Sequence, residues 1–308
     1  MDNNSFFVTT PIYYVNDAPH IGHAYTSIAC DVLARFNRLN NKNTMFLTGT
    51  DEHGLKMEQA AKKKNMDTKK FVDEMSMNFK KLTKILNLTN DFFIRTTDEF
   101  HKKASQHIWN ILEKNNQIYL DKYKGWYSIS DEAYFNDDEI SIDKKTKKKV
   151  APSGHEVQWV EEESYFFKLS KWQSKLLDYY QKNPDFIAPE SRKNEVISFV
   201  KNGLKDLSIS RTTFSWGIQV PNNTKHVMYV WLDALINYLS AIGYPDKKYK
   251  KFWPANVHII GKDIIRFHAV YWPAFLLAAD IEPPKRIFAH GWWTNEGKKI
   301  SKSLGNVI

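Results

Sequence analysis

The chain has 308 residues, 42% hydrophobic and 26% charged, a balance that excludes a disordered, collagenous or coiled-coil protein. A single cysteine, Cys30, excludes a disulfide framework and any cysteine-based zinc knuckle. The formal charge of +9, from 44 Lys+Arg against 35 Asp+Glu, suits a partner made of phosphates, with a lysine-rich composition as the bland alternative. The first residues carry neither a basic start nor an apolar run, so no signal peptide is expected. The longest apolar stretch, 269–279, is too short for a membrane span and contains Pro273, so a cytoplasmic protein without a membrane partner is expected.

Residues 6–10 form a β-branched and aromatic run that stops at Pro11, which predicts a buried strand. After the polar turn Asn16-Asp17-Ala18-Pro19, apolar residues at Tyr25, Ile28, Ala29, Val32, Phe36 and Leu39 recur at spacings of three and four. That pattern marks an amphipathic helix. A second strand is expected at 44–48, helices at 56–64 and 68–86, a third strand at 92–95 and a helix over 98–116. Strand and helix alternating in this order argue for a parallel α/β sheet. From Gln117 the texture turns β-rich, through Tyr127, Tyr134-Phe135, Trp159 and Tyr165-Phe166-Phe167. Helices at 172–182 and 195–207 follow, and alternation resumes with a strand at 227–231, a helix through Tyr238, a strand at 257–260, a helix through Ala279 and a strand at 287–289. The expected fold is a doubly wound parallel α/β sheet, 1–116 and 226–308, interrupted by a β-containing insertion over 117–225.

No G-x-G-x-x-G follows the first strand, which excludes a dinucleotide fingerprint. Gly291 and Gly297 are one residue too far apart for a P-loop, and Lys298 precedes Lys299 rather than Ser or Thr. What opens the first helix is His20-Ile21-Gly22-His23. A helix start offers backbone N–H groups and a positive dipole to an anion, and Gly22 lets a nucleotide lie against the backbone. Two flanking histidines can donate to phosphate oxygens as charge moves. A pair of surface histidines or two zinc ligands are the competing readings; the position between strand and helix favours phosphate. Near the other end, Lys299-Ile300-Ser301-Lys302-Ser303 places two lysines around small hydroxyl residues, a basic loop suited to a pyrophosphate leaving group.

Together the two motifs resemble the HIGH and KMSKS signatures of class I aminoacyl-tRNA synthetases, with Ile300 in place of Met. Within that class the chain is similar to the methionyl-tRNA synthetases. The similarity rests also on Thr10-Pro11-Ile12-Tyr13-Tyr14-Val15-Asn16, Thr48-Gly49-Thr50-Asp51-Glu52-His53-Gly54, Val230-Trp231-Leu232-Asp233-Ala234 and residues 260–268, blocks that span essentially the whole chain. The resemblance implies ATP-dependent activation of methionine to methionyl-adenylate, then transfer to the 2′-hydroxyl of the terminal adenosine of tRNA(Met). It implies that Ile12, Tyr14, Trp231, Ala234, Leu235, Tyr238, Ile264 and His268 surround the thioether, and that Asp51 holds the ammonium group. Leu235 departs from the proline of some members. His20, Gly22 and His23 would contact the phosphates of ATP, Lys299 and Lys302 the departing pyrophosphate, Gly261 and Asp263 the ribose, and Trp293 the adenine, with Mg²⁺ from solvent.

A soft apolar slot is what an uncharged thioether needs. Cys30 alone cannot supply the zinc site of a cysteinyl enzyme, and 117–225 is too short for the editing insertion of isoleucyl, leucyl and valyl enzymes. Many relatives carry cysteine-rich knuckles in the insertion. Here it has no cysteine and one histidine, His155, so no zinc is expected and aromatic cross-strand packing should hold its hairpins. A monomer is expected. The family continues beyond the position of Ile308 into a helical bundle that reads the anticodon, so charging by this chain should be weak and indifferent to anticodon. Two other classes remain open: a small-molecule adenylyltransferase with an H-x-G-H motif, and a non-catalytic RNA-binding paralogue.

Overall fold

The structure, a computed structural model, describes residues 4–131, 133–135, 137–144, 146–292, 294–295 and 298–299. The chain opens with β1 (Ser5–Thr9), β2 (Tyr13–Tyr14), α1 (Ile21–Leu39), β3 (Asn43–Asp51), α2 (Leu55–Lys63), α3 (Thr68–Ile85), β4 (Phe92–Arg95) and α4 (Glu99–Lys114). A β-rich stretch follows: β5 (Ile118–Ser128), β6 (Ala133–Phe135), β7 (Ser141–Ile142), β8 (Lys149–Val150) and β9 (Gln158–Phe167). Then come α5 (Gln173–Lys182), β10 (Ile187–Ala188), α6 (Glu190–Lys201), β11 (Leu207–Ser208), β12 (Ser210–Arg211), β13 (Gln219–Val220) and β14 (Asn223–Met228). The last part holds α7 (Val230–Ser240), β15 (Val257–Gly261), α8 (Trp272–Ala278), β16 (Ile287–His290), β17 (Thr294–Asn295) and β18 (Lys298–Lys299).

Seven strands form the main sheet, in the order β10-β16-β15-β1-β3, with β2 and β4 both on β3. Every pairing in it is parallel. Leu47 of β3 pairs with Thr9 on one side and Phe92 on the other, so β1 and β4 flank β3. From β1 the chain therefore winds outward twice, to β3 and β4 on one side and to β15 and β16 on the other. Such a sheet is buried on both faces, and successive residues show it. Phe7 and Leu47 join the large cluster with Trp109, Leu239 and Trp272, whereas Val8 and Phe46 face Cys30 and Ala34 of α1.

The antiparallel sheet β11-β9-β5-β6 is a separate layer. Ten consecutive pairs join β5 to β9, from Ile118↔Phe167 to Tyr127↔Gln158. Aromatic pairs line this ladder, with Tyr119 stacked on Phe166 at 5.5 Å and Trp126 edge-on to Trp159 at 5.2 Å. Buried Arg211 sits over the rings of Tyr134 and Tyr229, at 4.3 and 4.7 Å. The fold matches the sequence-based expectation of a doubly wound parallel sheet with an inserted β-containing region. One strand of the main sheet, β10, nevertheless lies within 117–225: the chain returns to pair Ile187 and Ala188 with β16 before leaving again.

Three local expectations change. The apolar stripe that marks α1 in the sequence is not the face it buries: Val32, Phe36 and Leu39 are 59%, 61% and 83% exposed. The buried face is Thr26, Ser27, Cys30, Asp31, Ala34 and Asn37. Its small side chains let the helix backbone lie close to the sheet, and its polar groups find partners, as Asp31 does in accepting from Thr89 N, Thr89 Oγ1 and Arg35 Nε. The helix expected at 195–207 is Glu190–Lys201, ended by Gly203 at φ 103°. The strand expected at 227–231 stops at Met228, and Val230 begins α7, because a helix buried on all sides shows no polar face to mark it.

Candidate active site

Ligands of an open parallel α/β sheet bind beyond the carboxyl ends of its strands, where the winding direction reverses. Here the reversal lies between β1 and β15, and several of the pieces singled out in the sequence gather there. Pro11 to Tyr14 leave β1, α1 begins beside them, Gly261 ends β15 and Asp263 follows it.

The start of α1 is capped by its own histidines. His20 Nδ1 accepts from Gly22 N at 3.1 Å, and His23 Nδ1 accepts from His20 N at 3.0 Å, a capping box made by imidazoles. With Nδ1 accepting in both rings, the proton of each neutral imidazole belongs on Nε2, the nitrogen suited to donate to an anion. The rings lie 3.8 Å apart, and His23 packs edge-on to Tyr13 and Phe79 at 4.7 and 5.3 Å. A side chain at Gly22 would stand 2.9 Å from His20 Cε1 and disturb this arrangement. The helix start thus presents its dipole and two Nε2 nitrogens, chemistry that suits an anion.

Next to it is a narrow cavity lined by Pro11, Ile12, Tyr14, Asp51, Trp231, Ala234, Leu235, Asn237, Tyr238 and His268. Of the residues expected around a thioether, Ile264 alone does not line it. Its carbonyl accepts from His268 Nδ1 at 3.0 Å, which leaves Nε2 to accept from Tyr238 OH at 2.8 Å. Burial drives the His268 pKa down to about 4, so the ring is neutral. Trp231 stacks on Phe267 at 3.8 Å with planes 4° apart, and Tyr238 stacks on His258 at 4.0 Å. Pro11, Asn237 and Phe267 were not singled out as pocket residues. Phe267 stood inside the quoted 260–268 block, but its stacking on Trp231 is a tertiary contact that no local pattern reports. Asp51, buried at the carboxyl end of β3, is the acidic member of the lining.

The rest of the 48–54 block serves architecture. Glu52 takes a bidentate pair from Arg95, at 2.7 and 2.8 Å, and hydrogen bonds from Thr50 and Thr97. A Cβ at Gly49 would fall 2.1 Å from the carbonyl oxygen of Ile94, so β3 and β4 can pair closely only with glycine there. His53 and His101 donate to the two oxygens of buried Asp233, each at 2.7 Å. Burial would raise the Asp233 pKa, but the His53 charge and both hydrogen bonds outweigh it and hold it below the usual value. His101 had no motif around it to betray this role.

At the far side, a Cβ on Gly261 would meet Asp263 Oδ1 at 2.6 Å, so glycine makes room for that carboxylate. His290, at the end of β16, meets Thr26 Oγ1 at 2.8 Å and ties the first turns of α1 to the sheet edge; it too escaped the sequence reading. Lys299 lies in β18, its side chain outside what the structure describes, and Trp293, Lys302 and the remainder of 300–308 fall outside the described residues. Among the described residues, no group of three or more His, Cys, Asp or Glu could hold a metal ion.

A doubly wound sheet with a histidine-capped helix start and an adjoining apolar pocket at its switch point has the architecture on which α/β proteins build nucleotide sites. The sequence profile of the family described as "tRNA synthetases class I (M)" matches residues 6–308, and the chain belongs to that family. It is 63% identical over 308 residues to the methionine–tRNA ligase of Rickettsia bellii and 56% identical over 310 residues to that of Brucella suis. The alignments take in 99% and 100% of this chain, which spans about 60% of the length of the curated relatives it matches. Among solved structures, Mycobacterium tuberculosis methionyl-tRNA synthetase in complex with methionyl-adenylate superposes with a TM-score of 0.96 at 53% identity, over 99% of this chain and 60% of that one.

Proposed function

We propose that this chain carries the methionine-activating part of a methionine–tRNA ligase. The observation that carries the reading is the juxtaposition of a histidine-capped helix start with a small apolar pocket that ends on the buried carboxylate of Asp51. An amino acid with an uncharged side chain fits that pocket when Asp51 takes its ammonium group. Its carboxylate then faces the phosphates held at α1. That carboxylate, already an anion, attacks the α-phosphorus of ATP in line, giving methionyl-adenylate and pyrophosphate. No general base is needed, so the rate comes from positioning and charge stabilisation.

In this reading His20, Gly22 and His23 hold the phosphates, Lys299 and Lys302 the departing pyrophosphate, Gly261 and Asp263 the ribose and Trp293 the adenine. Ile12, Tyr14, Trp231, Ala234, Leu235, Tyr238 and His268 shape the thioether slot, with Ile264 acting through His268. Mg²⁺ would arrive with ATP, bound to its phosphates. The second step passes the methionyl group to the 2′-hydroxyl of the terminal adenosine of tRNA(Met). A cytoplasmic monomer is part of the proposal; among the described residues no helix is long and apolar enough to cross a membrane. Methionine-dependent exchange between ATP and labelled pyrophosphate tests the reading. Exchange with methionine is expected. Exchange driven only by another acid would favour a small-molecule adenylyltransferase, and no exchange would favour a non-catalytic RNA-binding protein.

A further inference from the structure

One buried histidine beside the apolar pocket has no part in the proposed chemistry. His258, on β15, is not among the lining residues, but its ring stacks on Tyr238, which is, with centroids 4.0 Å apart and planes at 24°. Two tryptophans complete the cluster, Trp253 at 6.2 Å from His258 and Trp272 at 6.1 Å from Tyr238. The backbone of His258 is locked between two strands, in register with Thr9 of β1 and Ile287 of β16. Its Nδ1 shares a hydrogen bond of 2.8 Å with Thr9 Oγ1, and both residues are fully buried. Nε2 is buried with no hydrogen-bond partner among the described residues. Burial, and after it the neighbouring His268, hold the His258 pKa well below its usual value, so the ring is neutral.

An imidazole buried with one nitrogen unpaired is a poor space filler, because an unmet polar atom in the interior destabilises the fold. An apolar side chain would occupy the same volume without that loss. What His258 supplies instead is a plane of fixed tilt. A histidine ring has only broad preferences about its last torsion, and the bond to Thr9 selects one orientation. The ring so held sets the tilt of the phenol stacked on it, since aromatic pairs favour particular offsets and angles. That tilt matters because Tyr238 OH donates to His268 Nε2 at 2.8 Å, and both side chains line the pocket. We propose that His258 is a positioning residue for the amino-acid substrate: through its stack on Tyr238 it keeps the Tyr238–His268 pair aligned along the apolar side chain held in the pocket. The inference rests on the reading of the chain as methionine-activating, and adds to it a residue outside the pocket lining. Its effect is confined to the amino acid. In that reading the phosphates are held at the start of α1, whose His23 packs on Tyr13 and Phe79 rather than on this cluster.

The test is methionine-dependent pyrophosphate exchange by the full 308-residue chain, at varied methionine and at varied ATP, with thermal unfolding measured beside it. His258→Ala should raise the KM for methionine roughly fivefold to tenfold, the loss of one aromatic pair, while the KM for ATP and kcat stay within about twofold of wild type. His258→Leu fills the volume without a ring; it should be more stable than His258→Ala yet keep the raised methionine KM. His258→Phe restores a plane and should recover most of the affinity. Thr9→Val removes the bond that orients the ring and should also raise the methionine KM, whereas Thr9→Ser should not. That pair carries the test if His258→Ala does not fold. A wild-type methionine KM in His258→Leu would reduce His258 to packing and overturn the proposal, as would a parallel rise in both KM values. Normal wild-type exchange with no change of KM in any variant would sink the inference alone. No exchange with methionine in the wild type would refute the reading of the chain and the inference with it.

Discussion

Helix α1 and helix α7 both bring side chains to the carboxyl edge of the main sheet, yet they bury opposite kinds of surface. α1 turns Thr26, Ser27, Asp31 and Asn37 inward and leaves Ile28, Val32, Phe36 and Leu39 exposed. α7 is buried along almost its whole length, and its one acid, Asp233, is matched by two histidines. The difference follows from what each helix has to do. α1 must set its first turn against the sheet, so small side chains and paired polar groups win the interior. α7 lies in the large core and forms the pocket wall, so apolar bulk wins, and its acid is admitted only with donors on both oxygens. Hydropathy alone would have ranked the two faces of α1 the wrong way round.

The sharpest way to break this contrast is Asp233→Ala, which leaves two buried imidazoles without their acceptor. A loss of about 3–5 kcal/mol is expected, read from the urea midpoint. A loss below about 1 kcal/mol would mean the trio contributes little. His20→Ala should act on rate instead. Removing one donor to the developing charge should cost roughly 3 kcal/mol in the barrier for exchange, with methionine affinity nearly unchanged. Trp231→Ala should show the reverse, weakening methionine first, and a matching pattern in the two variants would dissolve the division of labour between the helices.

Smaller effects sharpen the packing side. Ala34→Leu, on the close face of α1, should destabilise by about 1–3 kcal/mol through overpacking, measured by thermal unfolding. Acid should act through the pocket wall. His268 has a pKa of about 4 in the fold against 6.5 unfolded, so proton uptake favours the unfolded chain. Stability is full above pH 6.5 and should fall as pH drops toward 4, by at most about 1.4 kcal/mol per unit from this residue, with buried His258 acting in the same direction. His268→Gln should flatten that slope. Phe36→Ser, on the outward stripe, should change the stability of this chain by less than about 0.5 kcal/mol. A large loss there would show that the exposed face is packed after all.

Local chemistry in the sequence already determined much of this protein. Alternating buried strands and helices prescribe the parallel sheet, because its two-sided burial leaves continuous apolar runs such as that around Phe7 and Val8. The helix start at His20-Ile21-Gly22-His23 was legible because the signals that open a helix act within one turn of it. Ile12, Tyr14, Asp51, Trp231 and Tyr238 could be named through family resemblance, and the fold brings them to one cavity. Only the tertiary structure decided which face of α1 is buried, that β10 returns to the main sheet, and that His101 and His53 share Asp233. These depend on partners far apart in the chain: His101 and Asp233 are separated by 132 residues. Periodicity records what a segment can bury; its actual partners are set when the segments pack.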